Sequence, residues 1–436
     1  MTVTTRQALL REAEHALRTR DPRRALVNLI ALLRSAPHDL DARMRVADVL
    51  LASGRLPLAV ECYSAVAIEA AKMGYPLKAA AALKVLANFD PGADQLFTAL
   101  AARYAYGSAS LGRAVRASPP SPEAEVGRNA FPPDDFDDTA LAGAAARLVI
   151  SRDGLPDWPA MVPPVPLLSE LPADAFSRLL AAAELRRLPR GATLMQQGEA
   201  GDAFYLLVKG RVAVTRAGAV GAETLAELGE GALLGEMALL SNAPRNATVT
   251  ALDDVDALAF GRDALAAASR ELAAIGSVLE RFMRQRLLDH LMRTHPLFEP
   301  FDPTQRVQLA SRFEVVSSVA GAMLIREGDP ARGLWVILSG GVAVSRVGPE
   351  GAVTLAELGP GEIFGEMSLL DRAPTNATVT TLAPSTLLLL PETIFHRLVG
   401  GVPELRGYFE ELAEARRMDT RITLSLVPGS VWAGGG

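Results

Sequence analysis

The sequence predicts a multidomain α + β protein, in which N-terminal α-helical hairpin repeats precede two antiparallel β-roll (jelly-roll) domains with flanking helices. Three observations carry that reading. Apolar residues recur at helical spacing through the first hundred positions, short β-prone runs punctuated by glycine follow, and those runs occur twice at a constant offset. The offset is 130 residues, the distance from Gly235 to Gly365. At that shift Gly191, Gly198, Gly210, Val212, Val214, Glu227, Gly229, Gly231, Glu236 and Pro244 fall on identical residues at 321, 328, 340, 342, 344, 357, 359, 361, 366 and 374, with no gap. Solenoid units run only about 20 to 50 residues, so a repeat of this length is a whole domain copied in tandem.

Taken in order, residues 1–106 read as a helical domain. Leu9, Leu10, Ala13 and Leu17, then Leu26, Leu29, Leu32 and Leu33, then Val46, Val49 and Leu50 form apolar faces at helical spacing. Breaks at Asp21-Pro22, Pro37, Gly54, Gly74 and Pro91 divide the stretch into about six short helices. Ala25 and Ala59 are 34 residues apart, as are Leu29 and Tyr63. This resembles tetratricopeptide repeats, whose small residues let paired helices cross closely, although the third hairpin leaves the period and the usual tryptophan is absent. The resemblance implies a concave surface for a protein partner; a plain helical bundle is the alternative.

Residues 107–165 read as a Pro-rich flexible linker. Ten of the 29 prolines lie between Pro119 and Pro166, near an acidic run at 134–138, and only residues 139–150 suggest a helix. The first β-roll domain is expected over 166–294. It opens with a helix at 173–183, continues with strands at 193–196, 203–208, 211–216, 224–227, 248–253 and 257–261, and closes with helices from 262 to about 293. Its copy is expected over 295–417. Residues 418–436 read as a tail, β-prone and then disordered.

Each copy holds one loop whose chemistry stands apart. Residues 235–250 place a Gly-Glu pair nine residues before a Pro-Arg-x-Ala step into a β-branched strand. A carboxylate such as Glu236 accepts from hydroxyls, the Arg245 guanidinium takes two anionic oxygens in one plane, and Gly235 frees backbone N–H groups for the same anion. Such a loop suits a small sugar phosphate. It resembles the phosphate-binding cassette of cyclic nucleotide-binding domains, as in catabolite activators and protein kinase A regulatory subunits, which reads Phe-Gly-Glu-Leu-Ala-Leu and later Pro-Arg-x-Ala-Thr-Val. Leu234 stands here in place of the aromatic.

The resemblance implies that Glu236 accepts from the ribose 2′-hydroxyl and Arg245 holds the cyclic phosphate. The amides around Met237, Ala238, Asn246 and Ala247 would add donors. Family members often carry alanine or threonine after the arginine, so Asn246 leaves the choice between cyclic AMP and cyclic GMP open. The resemblance also implies that the closing helix, with its stripe of Leu272, Ile275, Leu279, Phe282, Leu288 and Leu291, acts as a lid over the base.

The second copy keeps Phe364, Gly365 and Glu366, with Met367, Ser368, Asn376 and Ala377 in matching places, but Arg245 falls on Thr375. Threonine supplies no positive charge, and burying an unpaired anion costs several kcal/mol. A weakened or empty second site is the expectation; Arg372 reaching round, or a different ligand, are the alternatives.

Composition narrows the function classes. A net charge of −6 argues against nucleic-acid or membrane surfaces as the main partner. One cysteine, Cys62, precludes an internal disulfide, and five scattered histidines give no metal-ligand spacing. The start lacks the shape of a signal peptide and no apolar run approaches the roughly 18 residues of a spanning helix, so a cytoplasmic chain is expected. Only four of the 44 basic residues are lysine, which suggests a GC-rich bacterial genome. No Gly-x-Ser-x-Gly elbow, Gly-Lys phosphate loop or partnered histidine argues for catalysis, and no helix-turn-helix follows the second roll. The sequence therefore points to a non-catalytic receptor without cofactor, with cyclic AMP favoured as ligand, relaying its occupancy to a protein partner through the helical domain. The alternative is a scaffold whose rolls bind no nucleotide; less favoured is a transcription regulator of the catabolite-activator type.

Overall fold

The computed structural model describes residues 4–113, 116–133, 135–218, 221–235, 244–245, 247–348 and 351–425. The helical domain consists of α1 (Arg6–Arg18), α2 (Pro22–Ser35), α3 (Leu40–Ala52), α4 (Leu56–Met73), α5 (Pro76–Leu86) and α6 (Ala93–Tyr104). Local chemistry sets the boundaries. Thr5, Asp21 and Asp39 cap the first three helices by accepting from backbone N–H groups of their first turns. Gly74 ends α4 in the left-handed conformation at φ 95°. Successive helices pack on one another, and Ala25, Ala59 and Ala79 are fully buried where they meet.

The segment expected to be a flexible linker is packed instead. Helix α7 (Asp138–Ile150) lies against α2 and α4. Buried Arg43 donates to the Val149 carbonyl at 2.6 Å and to the Ser151 carbonyl at 3.2 Å. Trp158 is held between Lys72 and Arg152, at 3.6 and 3.7 Å from its ring centre, and donates to Glu69. The prolines on either side of α7 limit regular structure without preventing burial, which is why composition misled.

After α8 (Ala173–Ala182), the first roll is built from eight strands: β1 (Glu184–Leu188), β2 (Thr193–Met195), β3 (Ala203–Lys209), β4 (Val212–Gly218), β5 (Gly221–Leu228), β6 (Leu233–Leu234), β7 (Thr248–Ala251) and β8 (Val255–Gly261). They form two antiparallel four-stranded sheets, ordered β1-β8-β3-β6 and β2-β7-β4-β5. Met195, Leu207, Val212, Leu234, Val249 and Ala257 fill the space between them. Helices α9 (Arg262–Glu271) and α10 (Ala273–Thr294) follow.

The second roll repeats this strand for strand at the same offset: β9 (Glu314–Ser318), β10 (Met323–Ile325), β11 (Gly333–Ser339), β12 (Val342–Gly348), β13 (Gly351–Leu358), β14 (Ile363–Phe364), β15 (Thr378–Thr381) and β16 (Ser385–Pro391). Its sheets run β9-β16-β11-β14 and β10-β15-β12-β13. Helix α11 (Pro303–Ala310) leads it, and α12 (Glu366–Asp371), α13 (Glu392–Gly401) and α14 (Pro403–Ser425) complete it. The segment from Met418 to Ser425 is therefore helical rather than β-prone, because it continues α14; the remainder of the expected tail lies outside the described residues.

The chain divides into two compact units, one holding the helical domain and the first roll, the other the second roll. Within the first unit, α5 lies on β1, β3 and β8. Asp256 and Lys209 sit opposite each other at a β-bulge between β8 and β3, the kind of irregularity that re-aims side chains. Both turn to the helices. Arg45 pairs with Asp256 at 2.8 Å, with Asp48 at 2.7 Å and with Glu14 at 3.3 Å. Lys209 pairs with Glu14, and Arg187 reaches Asp48 at 2.9 Å. Burial alone would raise the Asp256 carboxyl, but Arg45 and Arg187 outweigh it and hold it below the ordinary range. Burial raises the Glu14 carboxyl, against the pull of Lys209 and Arg45.

Candidate functional site

The first cassette hangs between β6 and β7. Arg245 leaves that loop one residue after a bridge between Ala200 and Pro244, and its amide donates to the Glu199 carbonyl at 2.7 Å. The side chain turns inward and is only 4% exposed. Its Nη1 donates to the Gly235 carbonyl and its Nη2 to the Ala203 carbonyl, both at 2.8 Å, while exposed Asp202 stands 3.5 Å away. The guanidinium lies 5.9 Å from the ring centre of Tyr205. Gly235 adopts φ 79°, and a Cβ there would meet Arg245 Nη1 at 2.5 Å, so glycine is required by both conformation and space. The structure thus brings Gly235 and Arg245 together and sets Ala247 directly before β7. Glu236, Met237, Ala238 and Asn246 lie outside the described residues.

Two backbone carbonyls anchor the guanidinium, leaving further N–H donors for an anion. A buried arginine held this way is pre-aimed and needs little reorganisation to meet a planar pair of phosphate oxygens.

The second cassette lies between the matching strands, β14 and β15, and carries different chemistry. Gly365 takes φ 89°, and Glu366, Met367 and Ser368 open α12. Glu366 is 1% exposed; its Oε1 accepts from Arg416 Nη1 of α14 at 2.8 Å. The neighbouring Arg417 makes a two-oxygen contact with Asp371 at 2.7 and 2.8 Å. Thr375 donates to the Arg326 carbonyl at 2.6 Å and also lies 3.0 Å from that of Asp329. Asn376 and Ala377 line the cavity beside Glu366. Arg372 does not reach round: it sits at φ 51° at the end of α12 and lines a different cavity with Phe395 and His396. In place of Tyr205 stands Trp335, 1% exposed and stacked on Phe364 at 5.7 Å.

Arg416 and Arg417 were not legible in the sequence, because they lie 50 and 46 residues from their partners and carry no motif. The placement of two arginines on the helix after the roll was the one available signal. Among the described residues no cluster of metal-ligating side chains occurs, and no helix is long and apolar enough to cross a membrane.

Residues 185–271 and 315–400 each match the family model for the cyclic nucleotide-binding domain. Over 254 residues the chain is 29% identical to the cAMP-dependent protein kinase regulatory subunit of Aspergillus niger, a match covering 55% of this chain and 58% of that one. Over 239 residues it is 30% identical to the subunit of the same name from Eremothecium gossypii, covering 55% and 49%. The chain therefore spans about half the length of these curated relatives. Among solved structures, the regulatory domain of Toxoplasma gondii PKA with cAMP aligns at 23% identity over 56% of this chain and 92% of that one, with a TM-score of 0.27. The curated relatives at this level are fungal, which overturns the bacterial source expected from the arginine excess. A codon bias records base composition and not lineage.

Proposed function

From a chain that carries two cyclic nucleotide-binding domains in tandem, we propose a non-catalytic cytoplasmic receptor in which the first roll binds a cyclic nucleotide and passes its occupancy to a protein partner through the helical domain. One observation carries the reading. Arg245 is buried and anchored on the Gly235 and Ala203 carbonyls. Glu236 takes the ribose hydroxyl in this reading, and the amides of Met237, Ala238, Asn246 and Ala247 add donors. Cyclic AMP is favoured because the similar curated proteins are named for dependence on it. Their description as kinase regulatory subunits makes a protein kinase catalytic subunit the first partner to test.

The relay has a physical path. Strand β3 offers the Ala203 carbonyl to Arg245 at one end and the Lys209 ammonium to Glu14 at the other. A shift of Arg245 toward a phosphate is therefore felt by a strand that is bonded to the helices. A ligand moves this equilibrium only as far as its affinities for the two states differ. Titration calorimetry with cyclic AMP and cyclic GMP, on the wild type and on Arg245→Ala, tests the site. Heat lost in the variant supports it; equal heats leave a scaffold. Pull-down of a kinase catalytic subunit with and without the nucleotide tests the partner.

A further inference from the structure

The turn that leads into the cassette is made twice in this chain, once with a charge and once without. In the first roll the Gly231 amide, at φ 84°, donates to the Leu207 carbonyl at 2.8 Å, and the Leu207 amide donates to the Ala232 carbonyl at 2.9 Å. In the second roll the Gly361 amide, at φ 86°, donates to the Ile337 carbonyl at 2.8 Å, and the Ile337 amide donates to the Glu362 carbonyl at 2.9 Å. The residue before the glycine is Glu230 in one and Pro360 in the other. Proline makes the same turn, so the carboxylate is not needed to shape it. Its partners lie in the helical layer instead. Glu230 Oε2 is 3.3 Å from Lys78 Nζ of α5, and its Oε1 is 3.5 Å from Arg116 Nη1. Lys78 is itself held by Asp41 of α3. The Tyr75 hydroxyl donates to the Ala117 carbonyl at 2.5 Å and so ties down the segment that carries Arg116. Partial burial raises the Glu230 carboxyl, with Lys78 pulling the other way, so the charge stands there at a cost that the turn does not require.

From this contact the route to the ligand site is short. Leu233 and Leu234 pair with Leu206 and Tyr205 of β3, and Gly235, five residues on from Glu230, gives its carbonyl to Arg245. We propose that Glu230 is a positioning residue through which α5 holds the entry of the first cassette, so that the helical layer sets the affinity of that roll for its ligand. With the turn held, the Gly235 carbonyl stays where it anchors the guanidinium. With the turn released, β6 is only two residues long and keeps that carbonyl in place less often. Apparent affinity then falls with the fraction of chains in the competent arrangement. By reciprocity, a partner that draws α5 away from Glu230 lowers nucleotide affinity, and bound nucleotide opposes that partner. The effect on affinity rests on the cyclic nucleotide reading of the first roll; the hold on the turn does not.

The test compares the full-length wild type with Glu230→Gln, which keeps the volume and removes the charge, and with Glu230→Pro, which places there the residue the second roll uses. Calorimetry with cyclic AMP reads the affinity. Hydrogen exchange of the ligand-free chain reads the amides of residues 231–235 against those of β4 and β7. The expected result is binding weakened by about fivefold or more in both variants, the low end of an ordinary coupling between sites. Exchange should quicken at 231–235 and stay unchanged in β4 and β7. Lys78→Met should weaken binding in the wild type and do so less in the Glu230→Gln background, the mark of residues that act through one contact. Wild-type affinity in both Glu230 variants overturns the inference and leaves the receptor reading intact. Weaker binding with exchange quickened throughout the roll marks general loosening and overturns it too. Should the wild type take up no cyclic nucleotide, the receptor reading fails by itself; exchange at 231–235 then decides the hold on the turn, and rates equal to wild type in both variants overturn it.

Discussion

The two rolls share every strand boundary at one offset and differ in what surrounds those strands. The first roll carries the helical domain on β1, β3 and β8 through buried ion pairs. At the matching positions of the second, Arg187, Lys209, Glu230, Asp254 and Asp256 become Ser317, Ser339, Pro360, Pro384 and Thr386. The bulge that aims Asp256 and Lys209 at the helices is kept, where Thr386 now faces Ser339. The strands and their bulge were thus copied, while the charges that use them belong to one copy. A buried charge needs all its partners, so a helical layer bearing Glu14, Arg45 and Asp48 fits the first roll and would leave its charges unpaired on the second.

The largest expected effect breaks that asymmetry. Arg45→Ala leaves Asp256, Asp48 and Glu14 buried without their shared cation and should cost roughly 3 to 5 kcal/mol in denaturant unfolding of the first unit. Thr386→Ala, the counterpart of Asp256 in the second roll, should change stability by less than about 1 kcal/mol.

The cassettes come next. Arg245→Ala should weaken cyclic nucleotide binding by about thirtyfold or more, the effect of truncating one partner of a buried charged pair. Thr375→Arg should create a second cyclic nucleotide site, because Gly333 and Gly365 stand 130 residues on from Ala203 and Gly235, whose carbonyls anchor Arg245. Calorimetric stoichiometry rising from one to two is the expected reading, and an unchanged count would show that the larger Trp335 ring has closed the space.

Acid should separate the units. Burial would raise the carboxyls of Asp256 and Asp41, but Arg45 and Arg187 for the one, and Lys78 for the other, hold them low. A carboxyl depressed in the fold contributes stability above its unfolded value of about 3.9, and that contribution is lost as pH falls toward the folded value. Glu14, raised in the fold, runs the opposite way and tempers the effect. Calorimetric melts between about pH 5 and pH 3 should show the first unit losing stability faster than the second.

The smallest effect is a probe. Burial pushes the Cys62 thiol up to about 12, and the residue is 0% exposed in α4. Alkylation at pH 8 should be negligible until the helical layer opens, then complete; labelling at the rate of a free thiol in the native protein would contradict the packing described.

Much of this was legible in the order of residues. Glycines at turns and alternating β-branched residues act over a few positions, so the strands at 193–196, 203–208 and 248–253 fall close to the observed ones. The Arg245 to Thr375 exchange is visible because the copies align without a gap. The edge strand β1 went unread, since its Glu-Leu-Arg-Arg-Leu run owes its conformation to pairing with β8, seventy residues away. The packing of residues 107–165 went unread because composition reports the lack of regular structure and says nothing of neighbours.

By itself the sequence determined the duplication, most of the strands and the identity of the group in each cassette, all matters of local backbone preference and short spacing. Only the tertiary structure decided which cation meets which partner: Arg416 with Glu366, Arg45 with Asp256, and Arg245 with two backbone carbonyls. Charges in a low-dielectric interior act on whatever the fold brings within a few ångströms, and that proximity is a property of the folded chain, which spacing along it does not encode.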